Sequence, residues 1–255
     1  MIAPSNRRWT AGLLVIGDEI LSGRTQDKNV AQVAQWLNGE GIRLDEVRVV
    51  PDVQERIAEA LNALRKSYDY VFTTGGIGPT HDDITVDAVA AALEVPVIVH
   101  PEARAILEDY YRDRPGGLNE ARLRMARTPE GAELIPNTAS RAPGVRVGNI
   151  FILAGVPHIA AAMLEALTGQ IDGGIPMQSL TIGARAAESE VAELLQVTER
   201  DHPGVMIGSY PFFRDGGFGS NFVIRSEDGE LMRRCGQVLN ERLREAGYEP
   251  VDGGI

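Results

Sequence analysis

Behind a run that reads as a buried strand, Tyr70-Val71-Phe72-Thr73, and before a run that reads as a helix from about residue 84, the chain carries Thr74-Gly75-Gly76-Ile77-Gly78-Pro79-Thr80-His81-Asp82-Asp83. Few backbones accept that order. A strand that ends in glycines and turns directly into a helix belongs to an open α/β sheet, where ligands bind beyond the carboxyl ends of the strands. Glycines there let main-chain N–H groups approach an anion closely, and the next helix N-terminus adds partial positive charge. The competing reading is a plain tight turn, with Asp82 or Asp83 as a helix N-cap. The loop lacks the Gly-Lys-Ser/Thr ending of a Walker A loop and the spacing of a G-x-G-x-x-G fingerprint, which disfavours both nucleotide folds.

The flanking pattern agrees with a mostly parallel sheet. Ala11 to Gly17 is a short apolar run ending in glycine, as in a strand buried on both faces. Val30, Val33, Ala34 and Leu37 recur at helical spacing, with Asp27 or Asn29 as start and Gly39 or Gly41 as stop. A strand is expected over 42–50, closed by Pro51. Asp52 and Glu55 have the spacing of a capping box opening a second helix. A helix over 84–93 and a strand over 95–99 complete a β-α-β-α-β-α-β order, which places helices on both sheet faces. The segment 101–128 reads as helical in two pieces, split at Pro115-Gly116-Gly117 and restarted by Asn119. Val145 to Ile152 reads as a hairpin turning at Gly148-Asn149, and Pro157 opens a helix. Thr168 to Pro176 has the glycine and proline content of a linker. Beyond it the order becomes β-α-β-β-α with a short final strand, a smaller α+β unit of the split-βαβ, ferredoxin-like type. The expected domains are 10–168 and 177–252.

Acids recur at equivalent places. Asp18-Glu19 follow the first strand, Asp52 the second and Asp82-Asp83 the third. In parallel strands these all face one rim. Carboxylates around a phosphate cradle repel it unless a divalent cation intervenes, and Mg²⁺ is usually held by one or two carboxylates plus substrate phosphates. Such an ion suits phosphoanhydride transfer or hydrolysis. The chain as a whole holds 36 acids and 25 bases among 255 residues, a formal charge of −11. That disfavours nucleic acid and anionic membrane surfaces as partners. One cysteine, Cys235, excludes an intrachain disulfide and a Cys-rich metal site, and reads as an ordinary helix residue. Neither the Met1–Arg8 start nor the Leu13–Ile16 run is apolar for long enough to be a signal or membrane segment, so a cytoplasmic protein is expected. His81, His100, His158 and His202 lack zinc spacing, and only His81 lies in the glycine segment. No G-x-S-x-G elbow occurs, and Tyr210-Pro211-Phe212-Phe213 reads as a core or interface patch.

Taken together, Ile16-Gly17-Asp18-Glu19-Ile20-Leu21-Ser22-Gly23, Gln26-Asp27-Lys28-Asn29, Pro51-Asp52, Thr73 to Thr85, Pro136-Asn137, Ala142-Pro143-Gly144 and Leu153-Ala154-Gly155-Val156-Pro157 resemble the molybdopterin-binding (MoaB/Mog-like) superfamily. Within it, the likeness is greatest to the N-terminal domain of CinA-like competence/damage-inducible proteins. It covers about residues 10–167, and the tail resembles the smaller domain that follows in such chains. The resemblance implies a three-layer α/β/α domain that binds a nucleotide- or pterin-type phosphate. In molybdopterin adenylyltransferases, aspartates matching Asp52 and Asp83 serve metal-dependent adenylyl transfer. In CinA-like domains the same pocket is associated with metal-dependent ADP-ribose pyrophosphatase activity.

The expected ligand set is Gly17, Ser22, Thr74, Gly75, Gly76, Gly78, Gly155 and Pro157. Asp52, Asp82 and Asp83 are expected to be catalytic, and Asp83, Asp52, Asp18 and Glu19 to hold Mg²⁺ or Co²⁺. A homo-oligomer, dimer or trimer, is expected. Two alternatives remain beside hydrolysis: adenylyl transfer to molybdopterin, and a non-catalytic ligand-binding scaffold. Ala154 stands where the family's Leu-Pro-Gly-x-Pro loop has proline, and 255 residues leave no room for the deamidase domain of longer CinA chains, so nicotinamide-nucleotide deamidation is not expected.

Overall fold

Alternation along the first apolar run sets up the layers. In the computed structural model, which describes residues 7–214 and 216–255, β1 (Trp9–Ile16) sends Leu13 and Val15 to one core and Leu14 and Ile16 to the other. Met1–Asn6, part of the start read above for a signal segment, lie outside the described residues. The chain continues through α1 (Asp18–Leu21), α2 (Asn29–Gly39), β2 (Ile42–Val50), α3 (Gln54–Ser67), β3 (Tyr70–Thr74) and α4 (Thr85–Leu93). Then come β4 (Val97–Val99), α5 (Pro101–Tyr111), α6 (Glu120–Leu123), β5 (Arg127–Pro129), β6 (Glu133–Ile135), β7 (Gly144–Val147), β8 (Ile150–Leu153) and α7 (Pro157–Leu167).

The main sheet runs β2-β1-β3-β8-β7-β6. Its first four strands are mutually parallel, and the hairpin adds β7 and β6 antiparallel. One face packs Phe72, Phe151 and Leu153 against Val33 and Leu37 of α2 and Met163 and Leu164 of α7. The other packs Val71, Ile150 and Ile152 against Ile57, Leu61 and Leu64 of α3 and Ala88 and Val89 of α4. This is the expected three-layer domain. Phe72 and Phe151 are fully buried and stack at 4.8 Å, and burial of each such side chain contributes about 1.5–3 kcal/mol.

One expected strand leaves the sheet. β4 pairs with β5 in a separate two-stranded ribbon. The sequence pattern predicts helix through residue 128, but the chain tightens into a 3₁₀ turn at Arg124–Ala126 and then extends. Thr128 precedes Pro129, which disfavours helical backbone there, and the Arg127 guanidinium is held by both carboxylate oxygens of Asp87.

The second unit comprises β9 (Gln178–Ala184), α8 (Glu188–Arg200), β10 (Met206–Arg214), β11 (Gly217–Ser226), α9 (Gly229–Glu245) and β12 (Val251–Asp252). Its sheet runs β10-β11-β9-β12, antiparallel throughout, which is the ferredoxin-like strand order. The core gathers Ile182, Phe222, Ile224, Val191, Cys235, Leu239 and Leu243. Burial pushes the Cys235 thiol up to about 11, so it stays protonated and inert at neutral pH. Tyr210 and Phe213 are not core residues, being 46% and 61% exposed on the edge strand β10. That edge is blunted: the Ile207 N–H donates to Glu199 and Pro211, facing the same way, has no N–H. No helix among the described residues is long and apolar enough to cross a membrane.

The chain divides into two compact units between Gly174 and Ile175. Residues 169–174 are therefore not a free linker. The Gly169 N–H donates to Glu40, Tyr70 Oη donates to the Asp172 carbonyl at 3.0 Å, and the Gly174 N–H donates to the Gly41 carbonyl at 3.2 Å. A Cβ on Gly41 would lie 2.2 Å from the Gly174 carbonyl oxygen, so only glycine permits this approach. A fragment ending at Gly174 is expected to fold. One ending at Thr168 loses these bonds, together about 2 kcal/mol, and should melt roughly 5 °C lower by circular dichroism.

Candidate functional site

Level strand ends build the site. Ile16 pairs with Val50, Val15 with Thr74, and Thr74 with Leu153. The loops that follow β1, β2, β3 and β8 therefore open on one rim. Their backbones touch. Gly75 has φ 103°, and a Cβ there would lie 2.1 Å from the Ile16 carbonyl oxygen. A Cβ on Gly155 would meet the Gly75 Cα at 3.1 Å. The Gly75 N–H extends the ladder by donating to the Leu153 carbonyl, so it is not available to an anion. The N–H groups of Gly76, Ile77 and Gly78 have no protein acceptor among the described residues.

Beside this contact lies a recess of about 60 Å³ lined by Ile16, Ile20 and Pro157 on its apolar side and by Glu19, Asn29, Thr74 and Gly155 on its polar side. Asn29 is 4% exposed; its amide donates to the Gly155 carbonyl at 2.8 Å, but its Oδ1 has no partner. The Thr74 hydroxyl is buried and has no partner either. Asn29 was expected only as a candidate helix start. Asp27 does the capping, since its Oδ1 accepts the Val30 N–H at 2.8 Å. Two polar residues where one cap suffices was the available signal.

The acids take roles other than those their spacing suggested. Asp52 forms no capping box. The Val53 N–H bonds to the Pro51 carbonyl, the helix starts at Gln54, and the Asp52 carboxylate accepts the Asp18 N–H at 2.9 Å. Nor does Asp82 or Asp83 cap α4. The Asp83 Oδ2 turns back to accept the Thr80 N–H at 2.7 Å and its hydroxyl at 2.5 Å, closing the Pro79–Asp83 turn. Asp82, Asp18, Glu19 and His81 are exposed. Burial raises the Asp52 carboxyl above its usual value; the Asp18 N–H opposes this, and the charges of Asp18, Glu19 and Asp82 add to it. These acids thus face one rim. No group of three metal-ligating side chains is assembled among the described residues, so the four expected ligands do not form a ready cage. One or two carboxylates completed by ligand phosphate oxygens still fit a hard cation.

Other expected residues are placed as follows. Gly76 and Gly78 line a second recess on the glycine loop, and Gly155 and Pro157 line the first. Ser22 is exposed, and its hydroxyl donates to the Glu19 carbonyl rather than into the recess. Gly17 lies beneath the Glu19 carboxylate, 2.6 Å from where its Cβ would be. Ala154 donates its N–H to Met163 Sδ, a contact proline would forfeit, and still delivers Gly155 to Gly75.

Residues 12–172 match the model of the probable molybdopterin binding domain, and residues 176–252 that of the FAD synthase middle domain. A CinA-like protein of Citrifermentans bemidjiense is 39% identical over 193 residues, 72% of this chain and 46% of its own. A probable FAD synthase of Caenorhabditis briggsae is 30% identical over 264 residues, 94% of this chain and 50% of its own. The chain spans about half the length of these two relatives. The crystal structure of CinA from Thermoplasma acidophilum, described as of unknown function, matches with a TM-score of 0.59 at 32% identity, covering 64% of this chain and 98% of that one.

The raised Asp52 carboxyl has a thermal signature. The folded chain holds this proton more tightly than the unfolded chain, so stability falls as pH rises from the ordinary carboxyl value of 3.8 through the raised one. Asp52→Asn keeps an acceptor for Asp18 and should melt higher than the parent at pH 7. The gap should close near pH 3. A gap that does not narrow on acidification refutes the assignment.

Proposed function

Because the chain belongs to the molybdopterin binding domain family, we propose that it binds a nucleotide- or pterin-type phosphate at this rim and hydrolyses a dinucleotide-type diphosphate such as ADP-ribose with a divalent cation. The observation that carries the reading is the pair of unpartnered, shielded polar atoms, Asn29 Oδ1 and Thr74 Oγ1, on two residues that line one recess beside the glycine loop. Leaving such groups unpaired costs about 1–3 kcal/mol each, which a ligand offsets. Asn29 Oδ1 accepts only, so the ligand presents an N–H or O–H there. A recess of about 60 Å³ takes the hydroxyl edge of a sugar or the edge of a ring, not a whole purine.

The diphosphate then lies over the free N–H groups of Gly76 to Gly78. Asp52 would hold Mg²⁺ or Co²⁺ together with the phosphate oxygens, and the bound ion supplies neutralising charge and a more acidic water. Glu19, exposed at the recess mouth, accepts the proton of the attacking water. Water adds to one phosphorus, the bridging P–O bond breaks, and AMP and ribose 5-phosphate leave. The FAD synthase relatives favour a second reading, adenylyl transfer from ATP, in which the same rim holds ATP and a second substrate replaces water.

Incubation with ADP-ribose and Mg²⁺ or Co²⁺ should release AMP, and EDTA should stop it. With ATP and a pterin or flavin phosphate acceptor, transfer would release pyrophosphate instead. Absence of both activities, with no calorimetric binding of ADP-ribose, overturns the reading. Thr74→Val separates binding from folding. It should raise the melting temperature, because a buried unpaired hydroxyl is removed, while weakening ADP-ribose binding by about tenfold.

A further inference from the structure

Resting on that reading, we propose that Arg124 is the phosphate-binding cation of the site and takes a non-bridging oxygen of the ligand's diphosphate in a second recess of the glycine loop. This recess, about 20 Å³, is lined by Gly76, Gly78, Asp83, Arg124 and Pro143. The Arg124 Nε is shielded from solvent and has no partner. Among the described residues its Nη2 reaches only the Asp83 carbonyl, at 3.4 Å. No carboxylate lies within ion-pair distance of it among the described residues. Its neighbour Arg127 differs, being neutralised through two bonds to Asp87. A guanidinium does not deprotonate, so the half-buried Arg124 keeps its charge with no carboxylate paired to it, and its shielded Nε donor has no acceptor among the described residues. That arrangement is unfavourable unless an anion completes it.

Size and charge select the anion. About 20 Å³ is room for one oxygen atom, not for a whole phosphate. The Asp83 carboxylate does not fill the role, because its Oδ2 is turned to Thr80. A phosphoryl oxygen projecting from the loop's N–H groups is small enough and carries the charge. It lets a dianion or trianion approach a rim already crowded with Asp18, Glu19, Asp52 and Asp82, with Arg124 offsetting part of the repulsion. The two recesses then read two parts of one ligand: Asn29 and Thr74 its hydrogen-bond donors, Arg124 its diphosphate.

Calorimetry on the full chain with Mg²⁺ tests this, using inorganic pyrophosphate and ADP-ribose as separate probes. Arg124→Gln should weaken both by about ten- to a hundredfold and melt no lower than the parent. Asn29→Ala should weaken ADP-ribose only. Arg124→Lys keeps the charge but lacks Nε, and should bind pyrophosphate severalfold more weakly; it decides the matter should Arg124→Gln not fold. Pyrophosphate affinity unchanged in whichever variant folds overturns the assignment. So does a parent chain that binds ADP-ribose but not pyrophosphate, which leaves the proposed ligand standing. Pyrophosphate bound through Arg124 without any binding of ADP-ribose would instead overturn the ligand and keep the arginine.

Discussion

Backbone pressed against backbone at Gly75 is the contact from which the rest of the site follows. Parallel strands normally stand about 4.8 Å apart, with side chains filling the space beyond their ends. Here the Gly75 main chain occupies the place of its own side chain beside the Ile16 carbonyl, and Gly155 closes on Gly75 from the other strand. Thr85 locks the turn by donating its N–H to the Gly76 carbonyl and its hydroxyl to the Gly75 carbonyl. Three loops are thereby held at one height. Their polar groups converge without any of them needing to be long or mobile.

That convergence conflicts with stability, which is where its meaning lies. Interiors rarely leave polar atoms unpaired. Among the described residues, seven buried side-chain polar atoms are unpaired, and three of them, Asn29 Oδ1, Thr74 Oγ1 and Arg124 Nε, belong to residues that line the two recesses beside and on the glycine loop. The acids add a further unfavourable element, seen in the raised Asp52 carboxyl. A cation and a polyanion together remove both defects. A cation alone leaves Arg124 uncompensated, and a polyanion alone meets the carboxylates. Ligand and metal are therefore expected to bind with positive coupling.

The sequence pattern conveyed the layers well, because burial on two faces leaves continuous apolar runs such as Leu13 to Ile16, and amphipathic helices leave Ile57, Leu61 and Leu64 at their own spacing. It conveyed the glycine loop for the same reason: glycine is the only residue that permits φ 103° beside a carbonyl. It failed where one residue type serves two local geometries. Asp52 precedes a helix at capping-box spacing, yet a bond from Val53 to Pro51 moves the helix start and frees the carboxylate for Asp18. Asp83 precedes α4, yet its carboxylate closes on Thr80. Arg124 carried no local signal of its own, and Asn29 only that of a second polar residue where Asp27 suffices as cap. Their significance is the missing partner, and that exists only once distant segments are packed.

In the proposed function hydrolysis and transfer share one rim, and what separates them is access of water. Transfer requires that the nucleophile be held and water be kept from the phosphorus. Asp18, Glu19, Ser22 and Asp82 are all exposed, so the acidic side of the rim meets solvent directly. Of the groups assigned to the ligand, those shielded from solvent line the two recesses, one for its hydrogen-bond donors and one for a single non-bridging oxygen of its diphosphate, so the opposite side of the reacting phosphorus faces the open acidic edge. With the ligand fixed at both recesses and the acidic side open to solvent, the proposed hydrolysis has its nucleophile in excess. A second substrate could compete only by burying that exposed acidic edge itself, which an anionic pterin or flavin phosphate would do against the charges of Asp18, Glu19 and Asp82. Electrostatics on the open side therefore favours hydrolysis over transfer.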